Sequence, residues 1–196
     1  MKAIPILLLF GLLCGSTSLF ARDTIPPGRV SVAVNPSYFV LGGYYVNPVY
    51  HFPQRWSVGA TFQGGFELPD FARDQFFEVP DGDVTVDWTY AVGLDVRYRF
   101  SQGAYDKGFF VAAALGYEGW EIRGAETATL ENWFLSFGAG YNWFPTRNDR
   151  LHLGLQYNFI FLLNNTDERN LDDGVFNLRP VVPPGWAPLI IVGWRF

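Results

Sequence analysis

The chain has 196 residues and a formal net charge of −5, with 14 lysine and arginine residues against 19 aspartate and glutamate residues. A negative chain with so few lysines lacks the basic surface that nucleic-acid binding requires, so that class of partner is excluded. The single cysteine excludes an intramolecular disulfide. Aromatic residues make up 18% of the chain, yet no run approaches the roughly 18 apolar residues of a membrane helix, which indicates apolar residues dispersed over strands.

The first 21 residues have the features of a signal peptide. Lys2 supplies a positive charge, residues 3–13 form an apolar run too short to span a bilayer as a helix, and mostly small or polar residues follow as far as Ala21. We predict cleavage after Ala21. Residues 22–196 then form one exported barrel domain without cysteine, because Cys14 lies in the removed segment.

The clearest strand runs from Trp88 to Phe100. Apolar or aromatic side chains occupy every second position, and small, polar or charged residues, among them Asp95 and Arg97, occupy the positions between. This period of two predicts a strand with one apolar and one polar face. Seven further segments repeat the alternation, and they begin near Val30, Tyr44, Trp56, Phe109, Asn132, Leu151 and Trp186.

Eight such strands predict an all-β fold, an eight-stranded antiparallel up-and-down transmembrane β-barrel. A chain without a spanning helix crosses a membrane only as a closed barrel, because each backbone N–H and C=O needs a partner inside the chain. Short connections are predicted at residues 53–55, 101–108 and 145–150, and the alternate connections at 41–43 (a tight turn), 67–87, 123–131 and 164–185. Short turns face the periplasm in such barrels, so both termini are predicted to be periplasmic.

Aromatic residues concentrate near both ends of the predicted strands, where they would form rings at the two membrane boundaries. The periplasmic ring comprises Trp56, Tyr98, Phe100, Phe109, Tyr141, Trp143, Trp194 and Phe196, and the outer ring comprises Tyr38, Tyr44, Trp88, Tyr90, Tyr117, Trp120, Trp133 and Trp186. Two irregularities are expected. Pro36 and Pro48 should each interrupt a strand at a bulge or local break, and a slip in the alternation near Glu118 predicts a bulge there.

The final strand carries a family resemblance. Val192, Trp194 and Phe196 alternate along it, and in this it resembles the terminal strand of bacterial outer-membrane barrels. Residues 22–196 as a whole resemble the small eight-stranded class that includes the OmpA membrane domain, OmpX, Ail and OmpW-like proteins. The resemblance implies an integral outer-membrane protein in contact with lipid and lipopolysaccharide. It also implies that Val192, Trp194 and Phe196 form the insertion signal read by the barrel-assembly machinery.

The inward faces predict what fills the lumen. Eight strands leave an interior just wide enough for side chains or one small ligand. A charge cluster is predicted in the periplasmic half, where ionised groups should pair as a plug: Asp95, Arg97, Arg99, His152 and Arg195. Small inward residues lie above it, including Gly93, Gly116 and Gly140. They either let Phe110 and Phe134 pack or leave a cavity open to the outside.

Three functional hypotheses follow. The first is a structural role or the narrow passage of a small solute or apolar ligand. The second is contact with an extracellular partner through the acidic loops at residues 67–87 and 164–185. The third, a lipid A-modifying enzyme, is the weakest. A His and a Ser act together only within hydrogen-bond reach, and no catalytic motif surrounds His51, His152, Ser31 or Ser57. No catalytic residue, metal site or cofactor is assigned.

Overall fold

The computed structural model describes residues 29–53, 55–78, 84–100, 107–124, 126–146, 150–164, 169–171, 174–178, 181–182 and 189–196. Eight strands form the barrel: β1 (Val30–Val34), β2 (Tyr44–His51), β3 (Trp56–Gly64), β4 (Thr85–Arg99), β5 (Gly108–Arg123), β6 (Thr127–Trp143), β7 (Leu151–Leu162) and β8 (Leu189–Arg195). Each strand pairs antiparallel with the next, and β8 also pairs with β1, which closes the sheet. The predicted eight-stranded antiparallel barrel is confirmed.

The two faces of the barrel differ in polarity. On β4, the exposed side chains of Leu94 and Val96 point outward, whereas those of Asp95 and Arg97 are buried in the lumen. The same alternation exposes apolar side chains around the barrel, including Val111, Leu115, Phe137, Phe159 and Ile190. Strands cross a membrane as a closed sheet that is apolar outside, because all backbone groups are then paired and the outer side chains contact lipid. The closed sheet and its apolar outer face are those of a membrane-spanning barrel, as predicted.

The barrel has a terminus end and a loop end. The Phe196 N–H donates to the Val30 carbonyl at 3.0 Å, so β1 begins where β8 ends, and we call this the terminus end. Outward aromatic residues form a ring at each end: Trp56, Tyr98, Phe100, Phe109, Tyr141, Trp143 and Phe196 at the terminus end, and Tyr44, Tyr90, Tyr117 and Trp133 at the loop end. On β6, the distance along the barrel axis from Trp133 to Trp143 is about 25 Å for a strand tilted by about 40°, which matches the height of an apolar membrane band.

The connection between β1 and β2 contains a short helix followed by the predicted tight turn at residues 41–43. Asn35 caps helix α1 (Pro36–Val40) by accepting a hydrogen bond from the Ser37 N–H at 3.0 Å, and Pro36 takes the first helical position, where no N–H donor is needed. α1 buries Tyr38 in the lumen, so the prediction that Tyr38 belongs to the outer ring is wrong. No helix in the described ranges is long and apolar enough to span a membrane.

A bulge on β4 reverses the predicted faces near the loop end. The register between β4 and β5 shifts between Trp88 and Tyr90, so Trp88 points into the lumen while Tyr90 points outward. The Thr89 hydroxyl donates to the Gly119 carbonyl at 2.7 Å beside this bulge. Trp88 is therefore not part of the outer ring.

β5 keeps one phase along its whole length. Glu118, Trp120 and Ile122 are all buried on the lumen side, in the same alternation as Phe110 nearer the terminus end. The predicted bulge near Glu118 is thus wrong, because the irregularity lies on the facing strand β4. The predicted outward position of Trp120 is wrong for the same reason, and Trp186 lies outside the described residues.

Pro48 breaks a ladder without creating a bulge. β2 pairs with β3 at Val46 with Phe62 and at Val49 with Gly59 in one register, and the ladder is interrupted between these pairs. Proline has no N–H to donate to a neighbouring strand. The predicted local break is confirmed at Pro48.

The two long connections add short elements at the loop end. After β3, Phe66–Glu67 pairs with β4, helix α2 (Asp70–Phe76) follows, and Phe77–Glu78 pairs with Gly174–Leu178. Between β7 and β8, Arg169–Leu171 pairs with Gly174–Leu178, and Val181–Val182 pairs with β7. Backbone pairing therefore joins the two long connections to each other and to the barrel.

Candidate functional site in the barrel lumen

A buried ion pair lies on the lumen face of β4. The Arg97 Nε donates to Asp95 Oδ2 at 2.8 Å. Asn47 on β2 bridges the pair, since its Nδ2 donates to Asp95 Oδ1 at 2.7 Å and its Oδ1 accepts from Arg97 Nη2 at 2.6 Å. Thr61 on β3 donates its hydroxyl to Asp95 Oδ1 at 3.3 Å. Side chains from three neighbouring strands thus neutralise the charges and satisfy their hydrogen-bonding atoms, which a buried ion pair requires.

Asn47 is not predictable as a member of this group from sequence, because a neutral amide gives no charge signal. Its inward direction is nevertheless readable, since it follows the outward Val46 by one residue on β2. Gly59 on β3 leaves the space that this group occupies. A Cβ at Gly59 would lie 2.6 Å from Asp95 Oδ1 and 3.0 Å from Asn47 Nδ2, so a larger residue would displace the bridge.

Arg99 binds the turn between β2 and β3. Its Nε donates to the Arg55 carbonyl at 3.3 Å, and its Nη2 donates to the carbonyls of Phe52 and Trp56 at 3.2 and 3.4 Å. Hydrogen bonds from a charged donor are stronger than those between neutral groups. This buried guanidinium therefore stabilises the closure of the terminus end.

Arg195 and His152 lie on the other side of the lumen, since β8 and β4 are four strands apart in the ring of eight. The Arg195 guanidinium carbon is 4.7 Å from the centre of the Phe144 ring, which suits a cation–π contact, and the His152 ring centre is 5.6 Å from the same ring. All five residues of the predicted charge cluster are buried in the lumen, each at 5% exposure or less. Asp95 and Arg97 form the ion pair, Arg99 binds the β2–β3 turn, and His152 and Arg195 lie beside Phe144.

A serine–histidine–serine group lies on the lumen face of β1, β2 and β3. His51 Nε2 lies 2.8 Å from the Ser31 hydroxyl, and His51 Nδ1 lies 3.1 Å from the Ser57 hydroxyl. The hydrogen-bond reach that catalysis would require is therefore present. All three side chains are nevertheless at most 1% exposed, so the group is enclosed in protein.

A small cavity borders the ion pair. Its volume is about 60 Å³, and Thr61, Ser136, Gln156 and Asn158 contribute polar walls. Gln156 Oε1 is buried without a hydrogen-bond partner in the described part of the chain. This volume is enough for a few water molecules among the polar walls.

An apolar core fills the lumen toward the loop end. Trp88 and Trp120 stack with ring centres 5.2 Å apart and an interplanar angle of 7°. Phe76 and Phe77, from the connection after β3, pack against Trp120 at 5.4 and 5.3 Å. We call this the loop-end core, and its buried members are Tyr38, Tyr45, Phe66, Leu68, Ala72, Phe76, Phe77, Val84, Val86, Trp88, Ala91, Trp120, Ile122, Phe134 and Leu162. The connection predicted as an acidic outer loop thus buries much of its apolar side in the barrel mouth.

Small lumen residues make room for aromatic rings rather than for an open cavity. A Cβ at Gly116 would overlap the ring of Phe134, and one at Gly140 would overlap the ring of Phe110. Phe110 and Phe134 are both buried. Gly116 and Gly140 thus adopt the packed alternative, whereas Gly93 lines the small cavity beside the ion pair.

The residues of the predicted insertion signal share the outward face of β8. Val192 and Trp194 are half-buried, and Phe196 is exposed. β8 pairs with β1 through Val32 opposite Trp194, and with β7 through Leu151 opposite Trp194. Their role in insertion stays a prediction.

A second polar group missed by the sequence analysis lies outside the barrel at the loop end. The hydroxyls of Tyr90 and Tyr117 each donate to one oxygen of the Glu131 carboxylate, both at 2.9 Å. Trp133 packs against Tyr117 with ring centres 5.2 Å apart. Three strands thereby hold an outward carboxylate beside the aromatic ring of the membrane boundary.

No family model matches the chain, and no curated protein matches it in sequence. Among solved structures, the N-terminal β-barrel domain of OprF from Pseudomonas aeruginosa is 13% identical, with a TM-score of 0.49 and coverage of 87% of this chain and 99% of that one. The attachment invasion locus protein Ail of Yersinia pestis is 14% identical, with a TM-score of 0.44 over 87% and 99% of the two chains. Ail in a phospholipid bilayer nanodisc is 16% identical, with a TM-score of 0.41 over 86% and 99%. These are small barrels to which the chain is similar, and the assignment of its own fold rests on its strand pairing.

Proposed function

We propose that the protein is a structural outer-membrane barrel whose lumen is closed to solutes, with its termini in the periplasm. The observation that supports this most strongly is the filling of the lumen. The loop-end core occupies one part, and the Asp95–Arg97 pair with its hydrogen-bond partners occupies another. The cavity beside the ion pair has a volume of about 60 Å³. Of the predicted alternatives, a structural role is therefore better supported than narrow passage.

The purified barrel is expected to be electrically silent in planar lipid bilayers. The loop-end core and the Asp95–Arg97 pair obstruct the lumen of the described barrel, so insertion should produce no steady current steps at moderate voltage. Incorporation should be verified by the shift in gel mobility between heated and unheated samples. A large porin in the same bilayer serves as the positive control. Steady current steps from the wild-type protein would contradict the closed barrel and support the narrow-passage hypothesis.

We infer that the serine–histidine–serine group is structural rather than enzymatic. A nucleophile must reach its substrate, whereas Ser31 and Ser57 are enclosed and both hydroxyls lie against the same imidazole. Three inward polar side chains on neighbouring strands stabilise the terminus end by satisfying each other's hydrogen bonds. Enzymatic modification of lipid A is therefore not part of the proposed function.

A second candidate function is contact with an extracellular partner through α2. Phe71 on this helix is 61% exposed, which is unusual for a phenylalanine beside a buried core. Asp70 and Asp74 flank it with highly exposed side chains, and Arg73 pairs with both at 3.1 and 3.3 Å. An exposed ring between carboxylates fits a partner surface that carries phosphate groups, such as lipopolysaccharide, because divalent cations can bridge carboxylates to phosphates.

Magnesium is expected to strengthen binding of the detergent-solubilised barrel to lipopolysaccharide, because Asp70 and Asp74 share one arginine and their remaining negative charge repels phosphates. Titration calorimetry with and without magnesium measures this effect. The double variant Asp70→Asn/Asp74→Asn should lose the magnesium dependence, whereas Glu121→Gln, on the barrel wall, should keep it. Equal magnesium dependence in all three proteins would exclude α2 as the contact.

A further inference from the structure

A buried carboxyl group lies beside the loop-end core. Glu118 on β5 and Asn132 on β6 form a cross-strand pair on the lumen side, and each is 2% exposed. Asn132 Nδ2 donates to Glu118 Oε1 at 2.9 Å. Among the described residues, no arginine, lysine or histidine forms an ion pair with Glu118.

The elements around this pair contribute aromatic and apolar side chains. α1 contributes Tyr38, which interacts electrostatically with Glu118 and packs edge-on against Tyr45 of β2. β4 contributes Trp88, and the connection after β3 contributes Phe76 to the same core. The titratable groups that face Glu118 within the described ranges are therefore tyrosine hydroxyls, which are uncharged at neutral pH. No described cation offsets a negative charge on Glu118, and the Asn132 and Trp120 side chains offer it only neutral N–H groups.

The side-chain oxygen of Asn132 needs a hydrogen-bond donor, which an ionised Glu118 cannot provide. Its Oδ1 is buried and has no hydrogen-bond partner in the described part of the chain. An ionised carboxylate only accepts hydrogen bonds, whereas a protonated carboxyl group also donates one through its O–H. We propose that Glu118 binds a proton in the folded barrel and donates it in a hydrogen bond to Asn132 Oδ1. The two side chains then form a proton-binding site at the edge of the loop-end core.

Loss of this proton is expected to destabilise the folded barrel. Ionisation places a buried charge without a cationic partner next to Tyr38 and leaves Asn132 Oδ1 without a donor, both of which are unfavourable in a buried site. The folded barrel holds a proton that the unfolded chain releases at lower pH, so stability falls as pH rises through the ionisation of Glu118. The protonation rests on the contacts of Glu118 and Asn132 and does not depend on the proposed function.

Infrared difference spectroscopy of the full barrel in lipid vesicles tests the protonation. Solvated glutamates are ionised above about pH 6, so a protonated-carboxyl band at about pH 6.5 that disappears at higher pH belongs to a buried acid. We expect this band in the wild type and in Glu131→Gln, which removes the outward carboxylate, and its loss in Glu118→Gln. Absence of the band from the wild type would overturn the proposal and favour a bound water as the donor to Asn132. Because the wild-type spectrum requires no variant, misfolding of Glu118→Gln leaves this part of the test intact.

Urea unfolding in vesicles provides a second measurement. A glutamine at position 118 keeps the shape and offers an N–H donor at every pH. The urea midpoint of the wild type should fall between about pH 6 and pH 9, and the fall should be larger than in Glu118→Gln. An equal fall in the two proteins would overturn the proposal. A conducting wild-type barrel that shows the infrared band would contradict the closed lumen while leaving the proton site in place.

Discussion

Replacement of Asp95 by alanine is expected to lower the free energy of unfolding by about 3 to 5 kcal/mol, the usual cost of removing one partner from a buried ion pair. Arg97 is 4% exposed and would remain as a buried cation with Asn47 Oδ1 as a neutral partner. Asn47 Nδ2 and the Thr61 hydroxyl would also lose their shared acceptor. One substitution thus removes hydrogen bonds that reach from β4 to β2 and β3.

Reversible urea unfolding in lipid vesicles, followed by tryptophan fluorescence, measures this loss. The double variant Asp95→Ala/Arg97→Met is the matched control, because it removes both charges and should recover part of the stability. Thr61→Val, which deletes the longest of the contacts to Asp95 at 3.3 Å, should cost clearly less. An Asp95→Ala barrel as stable as the parent would mean that the ion pair contributes no net stability. Since the loop-end core remains in place, the variant should still pass no steady current.

Deletion of Phe196 is expected to prevent accumulation of the barrel in the outer membrane. The resemblance of the last strand to the terminal strand of outer-membrane barrels implies that Phe196 is read during insertion. In the folded barrel Phe196 is 59% exposed, and its N–H donates to the Val30 carbonyl at 3.0 Å. Loss of so exposed a side chain should cost the finished barrel little, so a severe effect would arise during assembly.

Cell fractionation with heat-modifiable gel mobility measures the effect. Phe196→Tyr keeps an aromatic end and should insert normally. Phe52→Ala is a matched control, since it removes another outward aromatic residue near the terminus end, 39% exposed, that lies outside the terminal strand. Normal outer-membrane levels of the deletion variant, with folded mobility, would show that Phe196 does not act as an insertion signal.

The sequence by itself determines the barrel. Alternation of side chains with period two reports directly which face of a strand meets lipid, and this holds along β4 from Ala91 to Arg99 and along β5 from Phe109 to Tyr117. Closure follows as well, because strands in lipid cannot leave an unpaired edge. The inward positions of Asp95, Arg97 and Arg195 also follow from the alternation, without knowledge of the residues that they contact.

The tertiary structure alone decides what lies inside the loop end. The bulge on β4 depends on how Thr89 and Tyr90 pair with Gly119 of β5, and a pairing between distant residues leaves no trace in the local alternation. The bulge turns Trp88 inward against Trp120, and both rings then need further apolar cover. Phe76 and Phe77 provide this apolar cover by packing against Trp120. They belong to a connection whose acidic residues predict an exposed loop. Burial of apolar area in the mouth outweighs that local polarity, because only the closed barrel brings these separated rings within contact distance.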